Sequence, residues 1–551
     1  MKTCTTRLAG WPTARAELLL QRLHQREYDP ADLVVEDSGW AGDYEGRAFL
    51  ALVLLSAVRG EKAPNYEAVL DTLWAHRNEK GYMGPVLTDG FNEQQLSGNS
   101  WLLRGMCEAY AHFREPRAKQ MVLDIVEHLL LPATGFYGLY PADKAQRTGD
   151  NVVQEGLAGK TDTFAFSDDT DGEDAMQLIT RLTGKVGPWY ISTDVGCAFI
   201  MMDGVTAAYE CMKNHMPEQE DLIRRTGVLI REMCGVFLRL EFIRMAVQTH
   251  ATLSGLRGVL RFARLEEDEA LLAEVRRVFT LYLREGMTEN YENYNWFTRP
   301  VHTEPCGTID SFILAYWLWE DTGEAQYIEL ANRILYNGIL PTQRHNGGFG
   351  LHTCVGADTC EVKPPQKGIC EAHWCCTMRG GEFFEKLWDF AARQEGDALW
   401  LPIPVSGTVR GDGFMAVVST TYPEEGRITL RLLNNETLRR VWVYLPATAE
   451  NIQLTAADGT ALCLRREETG FAQVPVNGAG EWTLAFTMPD TPEATVNVHS
   501  LPGRRRLRGD LLLGRRAGAD WEPFYDAYWR YGELAATMAW NVVEEANDTD
   551  T

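Results

Sequence analysis

The chain has 551 residues, with 53 Lys and Arg against 77 Asp and Glu and a formal net charge of −24. That length holds two or three domains with ample core, and 45% apolar with 24% charged residues excludes wholesale disorder. The acidic excess repels a phosphate backbone, which argues against nucleic acid as a partner, while 16 Trp and 20 Tyr suit sugar stacking and a large aromatic core equally well.

Met1–Gly10 is polar and has no apolar segment of the kind a secretory signal needs. The longest apolar run, Ala48–Val58, is too short to span a bilayer. As written, the chain is expected to be cytoplasmic, with no membrane partner and with its 12 cysteines mostly reduced. Cys107, Cys197, Cys211, Cys234 and Cys463 lie in apolar runs and read as core. Five more crowd into the segment from Cys354 to Cys376.

Pro12–Arg26 starts a helical series in which one pattern recurs: small or polar residues, then an apolar helix. Asp43-Tyr44-Glu45-Gly46 leads into Ala48–Val58, and Asn99-Ser100 into Trp101–Phe113. Asp194-Val195-Gly196 leads into Cys197–Cys211, and His250-Ala251 into Leu253–Leu265. Cys306-Gly307 leads into Ile309–Trp319, and Cys376–Gly381 into Phe383–Ala392. Between them run amphipathic stretches with one charged face: Tyr66–Asn78, Arg117–Leu131, Leu222–Leu238, Ala270–Leu283 and Ala325–Tyr336. Helix pairs repeating about six times predict an (α/α)6 toroid over residues 1–400. In that architecture the starts of the inner helices converge on one mouth.

The second interval is lengthened by an insertion of about residues 134–190, rich in Gly, Asp and Thr. Its Asp168–Asp174 run resembles a calcium loop, but Leu178 stands where the bidentate carboxylate belongs, so it reads as a solvated acidic loop. From 401 to 510 short alternating runs, Ala416–Thr420, Ile428–Leu433, Val441–Tyr444, Ile452–Thr455 and Trp482–Phe486, predict an antiparallel β-sandwich. The chain is therefore expected to be multidomain and mainly α, with the β-sandwich after the toroid. Arg504–Arg508 reads as a solvated basic face. In the C-terminal segment, 511–551, aromatic Trp521–Trp540 is expected to pack back on the barrel and Glu544–Thr551 to be a frayed, disordered tail.

The chemistry-bearing residues are Glu304-Pro305-Cys306 and the pair Cys375-Cys376, each at the start of an apolar helical pattern. Three thiols and a carboxylate make a ligand set suited to Zn²⁺. The metal would hold the thiols deprotonated at neutral pH, and a thiolate with an open side is a candidate nucleophile for an anomeric carbon. A closed zinc knot that only ties two helices together is the competing reading. Cys354, Cys360 and Cys370 are left as a separate structural site or as unliganded thiols, since their spacings fit no tight C-x-x-C finger.

Glu304-x-Cys306, Ile334-Leu335-Tyr336-Asn337-Gly338-Ile339-Leu340 and Cys375-Cys376, in this order, resemble the glycoside hydrolase family 127 β-L-arabinofuranosidases. Asp43-Tyr44-Glu45-Gly46-Arg47 and His250-Ala251 resemble two further segments of that family. The resemblance implies a retaining exo-glycosidase with a zinc cofactor on Glu304, Cys306, Cys375 and Cys376. Cys375 would be the nucleophile and would form a thioglycosyl intermediate. Glu289 would be the general acid/base, with Glu292 in reserve. His250 would hydrogen-bond the sugar, and Asp43, Glu45 and Asp194 at the neighbouring helix starts join it as candidate substrate-binding residues. His373 and Trp374, just before the pair, are candidates to line the pocket and are equally suited to a structural role.

The chain departs from the family pattern at Ile200 and at Asn99-Ser100, where the family carries histidines, and at Thr377-Met378-Arg379, where it has Pro-Pro-Asn. These differences bear on which sugar is read more than on the reaction. The substrate expected is L-arabinofuranose or a related sugar on a plant-type glycan. A non-catalytic carbohydrate-binding scaffold with a structural zinc, and another toroid enzyme such as a sugar epimerase or lyase, are the alternatives. A small carbohydrate is the expected partner, with a homodimer as the alternative to a monomer.

Overall fold

The structure, a computed structural model, describes residues 4–34, 39–147, 182–192, 194–298, 302–354, 356–357, 362–363, 368–466, 469–496, 502–515 and 520–524. The Asp168–Asp174 run, Cys360, most of Trp521–Trp540 and the tail Glu544–Thr551 lie outside the described residues. Among those described there are twelve α-helices, and no helix is long and apolar enough to cross a membrane.

The apolar runs become helices buried over most of their circumference: α2 (Tyr44–Arg59), α4 (Glu93–Phe113), α6 (Met201–His215), α8 (Thr249–Glu266), α10 (Pro305–Thr322) and α12 (Cys376–Phe390). The amphipathic stretches become helices buried on one stripe. These are α1 (Trp11–Arg22), α3 (Tyr66–His76), α5 (Pro116–Asp124), α7 (Glu220–Phe237), α9 (Glu269–Glu285) and α11 (Ala325–Ile334). Each even-numbered helix packs on the next, and α12 closes on α2. The result is an (α/α)6 toroid with six inner and six outer helices. Asn99-Ser100 does not start a helix: Asn92 caps α4, its side chain accepting from the Gln94 and Gln95 amides. Asn99 lies about two turns later, where its side chain accepts from the Met83 amide and donates to the Ala41 carbonyl, pinning two loops.

Small residues let the inner helices approach closely. At Gly258 of α8 a methyl group would stand 2.4 Å from the Met202 carbonyl of α6, and at Gly46 of α2 one would stand 2.4 Å from the Leu102 amide of α4. Within the ring so formed, the core is ionic. Arg104 of α4 pairs with Asp203 of α6 at 2.8 Å and Glu382 of α12 at 3.2 Å. Arg257 of α8 pairs with Asp310 of α10 at 2.5 Å and also with Glu382. Arg379 of α12 pairs with Asp310 and Glu382. All six side chains are buried.

The insertion docks at the start of α4. Glu93 is fully buried and takes both Arg147 guanidinium nitrogens at 3.0 Å and the Ser192 amide at 2.7 Å. The hairpin of Leu182–Val186 and Trp189–Ser192 pairs with Phe91–Asn92.

After α12 the chain turns to sheet. Gly407–Gly411, Phe414–Thr420, Gly426–Asn435, Gly480–Thr487, Glu450–Ala456 and Ala461–Leu462 form a seven-stranded sheet whose first strand is the N-terminal Cys4–Leu8. A five-stranded sheet faces it, with Leu401 and Val443 meeting Val409, Val418 and Ile428 around a small cavity. One pair in that second sheet, Ala398–Leu401 with Arg440–Tyr444, is parallel; the other pairs of the two sheets are antiparallel. A third, four-stranded sheet contains Asp490–Val496 and Pro502–Arg508. Arg504–Arg508 is thus not simply a solvated face: Leu507 is buried and Arg505 is mostly covered. Cys463 is exposed rather than core, because its apolar run lies in a short edge segment of the sheet.

Because the carbonyl at Met202 belongs to helix backbone and cannot step aside, Gly258→Ala is expected to destabilise the protein by about 1–3 kcal/mol. A lower urea midpoint at unchanged m-value is the measurement.

Candidate active site

Glu304 is the cap residue of α10, Pro305 its first residue and Cys306 its second; Cys375 caps α12 and Cys376 begins it. Proline suits the first turn, where no amide is needed. The first turn of a helix carries partial positive charge, which favours thiolate over thiol. The ring closure brings the two helix starts together. One ligand atom from each of Glu304, Cys306, Cys375 and Cys376 lies within 4.8 Å of all the others, a grouping able to hold a metal ion. The Cys376 sulfur is 3.3 Å from both the Cys306 and the Cys375 sulfur. Cys306 and Cys376 are fully buried, whereas Cys375 is partly exposed.

Cations surround the cluster. Arg47 Nη1 points at the Cys306 sulfur from 3.8 Å while the same guanidinium is held by Asp43. His250 Nδ1 is 3.2 Å from Glu304 Oε1, and its Nε2 is 3.6 Å from Asp310. Trp101 stacks on His250, and Arg47 and Arg379 lie over its ring at 4.0 and 4.6 Å. Burial raises the cost of a thiolate, yet hydrogen bonds from Cys375 and Cys376, with His250 and Arg47 nearby, pull the Cys306 thiol well below its ordinary value. The hydrogen bond to Cys306 in turn pushes Cys375 well up, and burial with the same neighbour pushes up Cys376.

Glu289 and Glu292 occupy a tight loop closed by the Met287–Asn293 bridge. The Thr288 amide donates to the Glu292 carbonyl at 2.9 Å, and the Glu292 amide donates to the Thr288 hydroxyl at 3.0 Å. Tyr291, between them, has φ 67°, a left-handed conformation that costs a non-glycine residue about 1–2 kcal/mol. The two carboxylates differ. Glu292 is fully buried and is held by His352 Nδ1 at 2.9 Å, Asn290 Nδ2 at 2.7 Å and the Thr303 hydroxyl at 3.3 Å. Glu289 keeps a slight exposure, and the Tyr294 hydroxyl donates to its carboxylate at 3.5 Å.

Asn293 ties this loop to the cluster. Its Oδ1 accepts from the Glu304 amide at 2.9 Å and the Thr308 hydroxyl at 3.2 Å, and its Nδ2 donates to the Thr249 hydroxyl at 2.9 Å. A methyl group at Gly307 would stand 2.5 Å from that Nδ2. Asn293, Arg47 as a neighbour of the sulfurs and the Trp101 stack escape a reading of the sequence alone. The only signal was the i,i+4 spacing of Asp43 and Arg47.

The candidate sugar-binding residues are placed unequally. His250 and, through Arg47, Asp43 adjoin the ligand cluster. Asp194 is buried with its Oδ1 unpaired, and burial with Glu304 nearby raises its pKa to about 7. Glu45 is turned inward: its carboxylate accepts from the Gly42 amide at 2.7 Å, and burial raises its pKa to about 7.

The family described as Beta-L-arabinofuranosidase, GH127 catalytic domain, matches residues 248–389, a span that holds His250, Glu289 and all four residues of the cluster. Among solved structures, a GH127 β-L-arabinofuranosidase from Geobacillus stearothermophilus T6 is similar at TM-score 0.61 and 12% identity, over 92% of this chain and 86% of that one. A structure titled only as a glycoside hydrolase is similar at 0.60 and 13%, over 92% and 81%. A GH127 β-arabinofuranosidase gives 0.58 and 10%, over 92% and 84%. At such identities the likeness speaks for the fold. No curated protein matches the sequence. Toroid, sandwich and catalytic-domain match define a glycoside hydrolase, an enzyme whose substrates are carbohydrates. The match over residues 248–389, together with the shared fold at 10–13% identity, is consistent with a divergent member of family GH127.

Asn293→Ala would leave the buried Glu304 amide and Thr308 hydroxyl short of an acceptor, at a cost of about 1–3 kcal/mol. A lower thermal midpoint, with Asn293→Asp milder because it keeps the acceptor oxygen, is the expected result.

Proposed function

We propose that this glycoside hydrolase is a retaining, exo-acting enzyme with Cys375 as nucleophile, Glu289 as general acid/base and zinc as cofactor. One observation carries the reading: four anionic donors converge within 4.8 Å, and of the three sulfurs only Cys375 is reachable from outside. The donor set fits zinc, which accepts thiolates and a carboxylate at about 2.0–2.3 Å in a tetrahedral arrangement. Glu304 Oε2 adds to the fit, being buried without a hydrogen-bond partner. A zinc ion bound by Glu304, Cys306, Cys375 and Cys376 would supply thiol deprotonation at neutral pH.

The Cys375 thiolate attacks the anomeric carbon. A C–S bond forms, the glycosidic C–O bond breaks, and the leaving oxygen takes the proton of Glu289. In the second step the Glu289 carboxylate takes a proton from water, and that water oxygen attacks the anomeric carbon. The C–S bond breaks, Cys375 departs as thiolate, and the sugar leaves with retained configuration. Glu289 is preferred to Glu292 for this work because Glu292 has its carboxylate committed to His352, Asn290 and Thr303. The sugar is an L-arabinofuranose or a related one from a plant-type glycan, in keeping with the description of the matching family.

Cys375→Ser is expected to lower turnover of an aryl L-arabinofuranoside by more than about a thousandfold while the fold is kept. A cysteine-directed cyclitol should label Cys375 alone by peptide mass mapping; full activity in the serine variant would remove the nucleophile from the scheme. Elemental analysis should find one zinc per chain, lost with activity on chelation and absent from Cys306→Ala.

A further inference from the structure

The third, four-stranded sheet lies against the loop that carries Glu289. Arg505, in the strand Pro502–Arg508, donates from Nη1 to the Glu289 carbonyl oxygen at 3.0 Å. Its guanidinium also sits 4.4 Å from the centre of the Tyr291 ring, and its Nε pairs with Glu493 on the neighbouring strand. Glu493 is shared with Arg333 of α11 at 3.3 Å, and Arg333 donates to the Tyr291 hydroxyl at 3.3 Å. The opposite side of the loop is gripped as well. A methyl group at Gly338 would stand 2.2 Å from the Tyr291 carbonyl. The adjacent Asn337 clasps the sheet, donating to the Asp510 carbonyl at 2.7 Å and accepting from the Leu512 amide at 2.8 Å.

We propose that Arg505 is a positioning residue for Glu289, so that the C-terminal sheet completes the catalytic centre of the barrel. The inference rests on the assignment of Glu289 as acid/base. The physical reason is local. A left-handed tyrosine does not hold its conformation unless its surroundings impose it. Arg505 and Arg333 impose it on the ring and the hydroxyl. By holding the Glu289 carbonyl, Arg505 also fixes the peptide plane between Glu289 and Asn290, and with it the direction in which the Glu289 carboxyl leaves the chain. Proton transfer to the leaving oxygen needs hydrogen-bond reach, so a rotated peptide costs rate without removing the acid.

The test is leaving-group dependence in the full-length zinc enzyme, with zinc content and thermal midpoint recorded for each variant. Glycosides with poor leaving groups need the proton in the first step and dinitrophenyl glycosides do not. Arg505→Ala is expected to lower kcat/KM at least fivefold for an alkyl glycoside and less than twofold for the dinitrophenyl glycoside. Arg505→Lys, which keeps a donor and a cation over Tyr291, should recover at least half of the loss. A loss equal for all leaving groups, or none, overturns the proposal provided Glu289→Gln shows the steep dependence of a missing acid. A flat response from Glu289→Gln overturns the acid/base assignment itself, and this inference with it. If Arg505→Ala does not accumulate as folded protein, Glu493→Gln carries the same comparison: a smaller loss with the same selectivity supports the proposal, and an unselective one sinks it.

Discussion

An ionised side chain removed from water is tolerable only beside its counter-ion, and the inside of this barrel is organised around that constraint. The inner helices approach closely through Gly46 and Gly258. What they place there are arginines and carboxylates from α4, α6, α8, α10 and α12, each with at least one partner. The packing of the ring and the pairing of the charges therefore depend on one another. A displaced helix would unpair a buried charge, which is a steeper penalty than a displaced methyl group.

The candidate site is the end of this ionic column rather than a separate feature. Asp310 pairs with Arg257 and lies 3.6 Å from His250, and His250 lies 3.2 Å from Glu304. Arg47 extends the column on the other side, between Asp43 and the Cys306 sulfur. The cations are what make an anionic cluster of four donors tolerable in a buried place. Burial, with Arg257 and Arg47 nearby, brings the Arg379 guanidinium down to about 10 against the pull of Asp310, so this arginine is held charged at a cost that its carboxylate partner offsets in part. The arrangement keeps His250 and Glu304 fixed in orientation, as the proposed metal site would require.

The fold was legible in the sequence because its period was: six polar starts before six apolar runs, with amphipathic helices between, leave few other ways to bury the apolar surface. The vicinal cysteines and Glu304-x-Cys306 were legible for a related reason, since both stand at helix starts and the toroid brings helix starts together. What was not legible depends on register across the ring or between modules. Nothing local in Asn293 tells that it spans the starts of α8 and α10. Arg504–Arg508 has the composition of a solvated strand, and only the docking of its sheet shows that Arg505 reaches the Glu289 loop. Asn99-Ser100 precedes an apolar run and so has the look of a start, yet the amide-capping side chain is that of Asn92, about two turns earlier.

The same distinction explains why this chain keeps one part of its family's pattern and not another. Four donors that must meet within a few ångströms leave no latitude in residue type or spacing, and Glu304, Cys306, Cys375 and Cys376 retain both. Sugar recognition needs only a surface of suitable shape and polarity. Where the family pattern has a histidine near Ile200, this chain packs Ile200 with Leu50, Leu54, Cys197, Ala251 and Trp101 into a buried apolar cluster. Where it has Asn after the cysteine pair, Arg379 lies over the same Trp101 ring. Trp101 joins the two changes, packing in the apolar cluster of Ile200 and carrying Arg47 and Arg379 over its ring. The ligand cluster is thus fixed by geometry, whereas the residues packed beside it are free to differ.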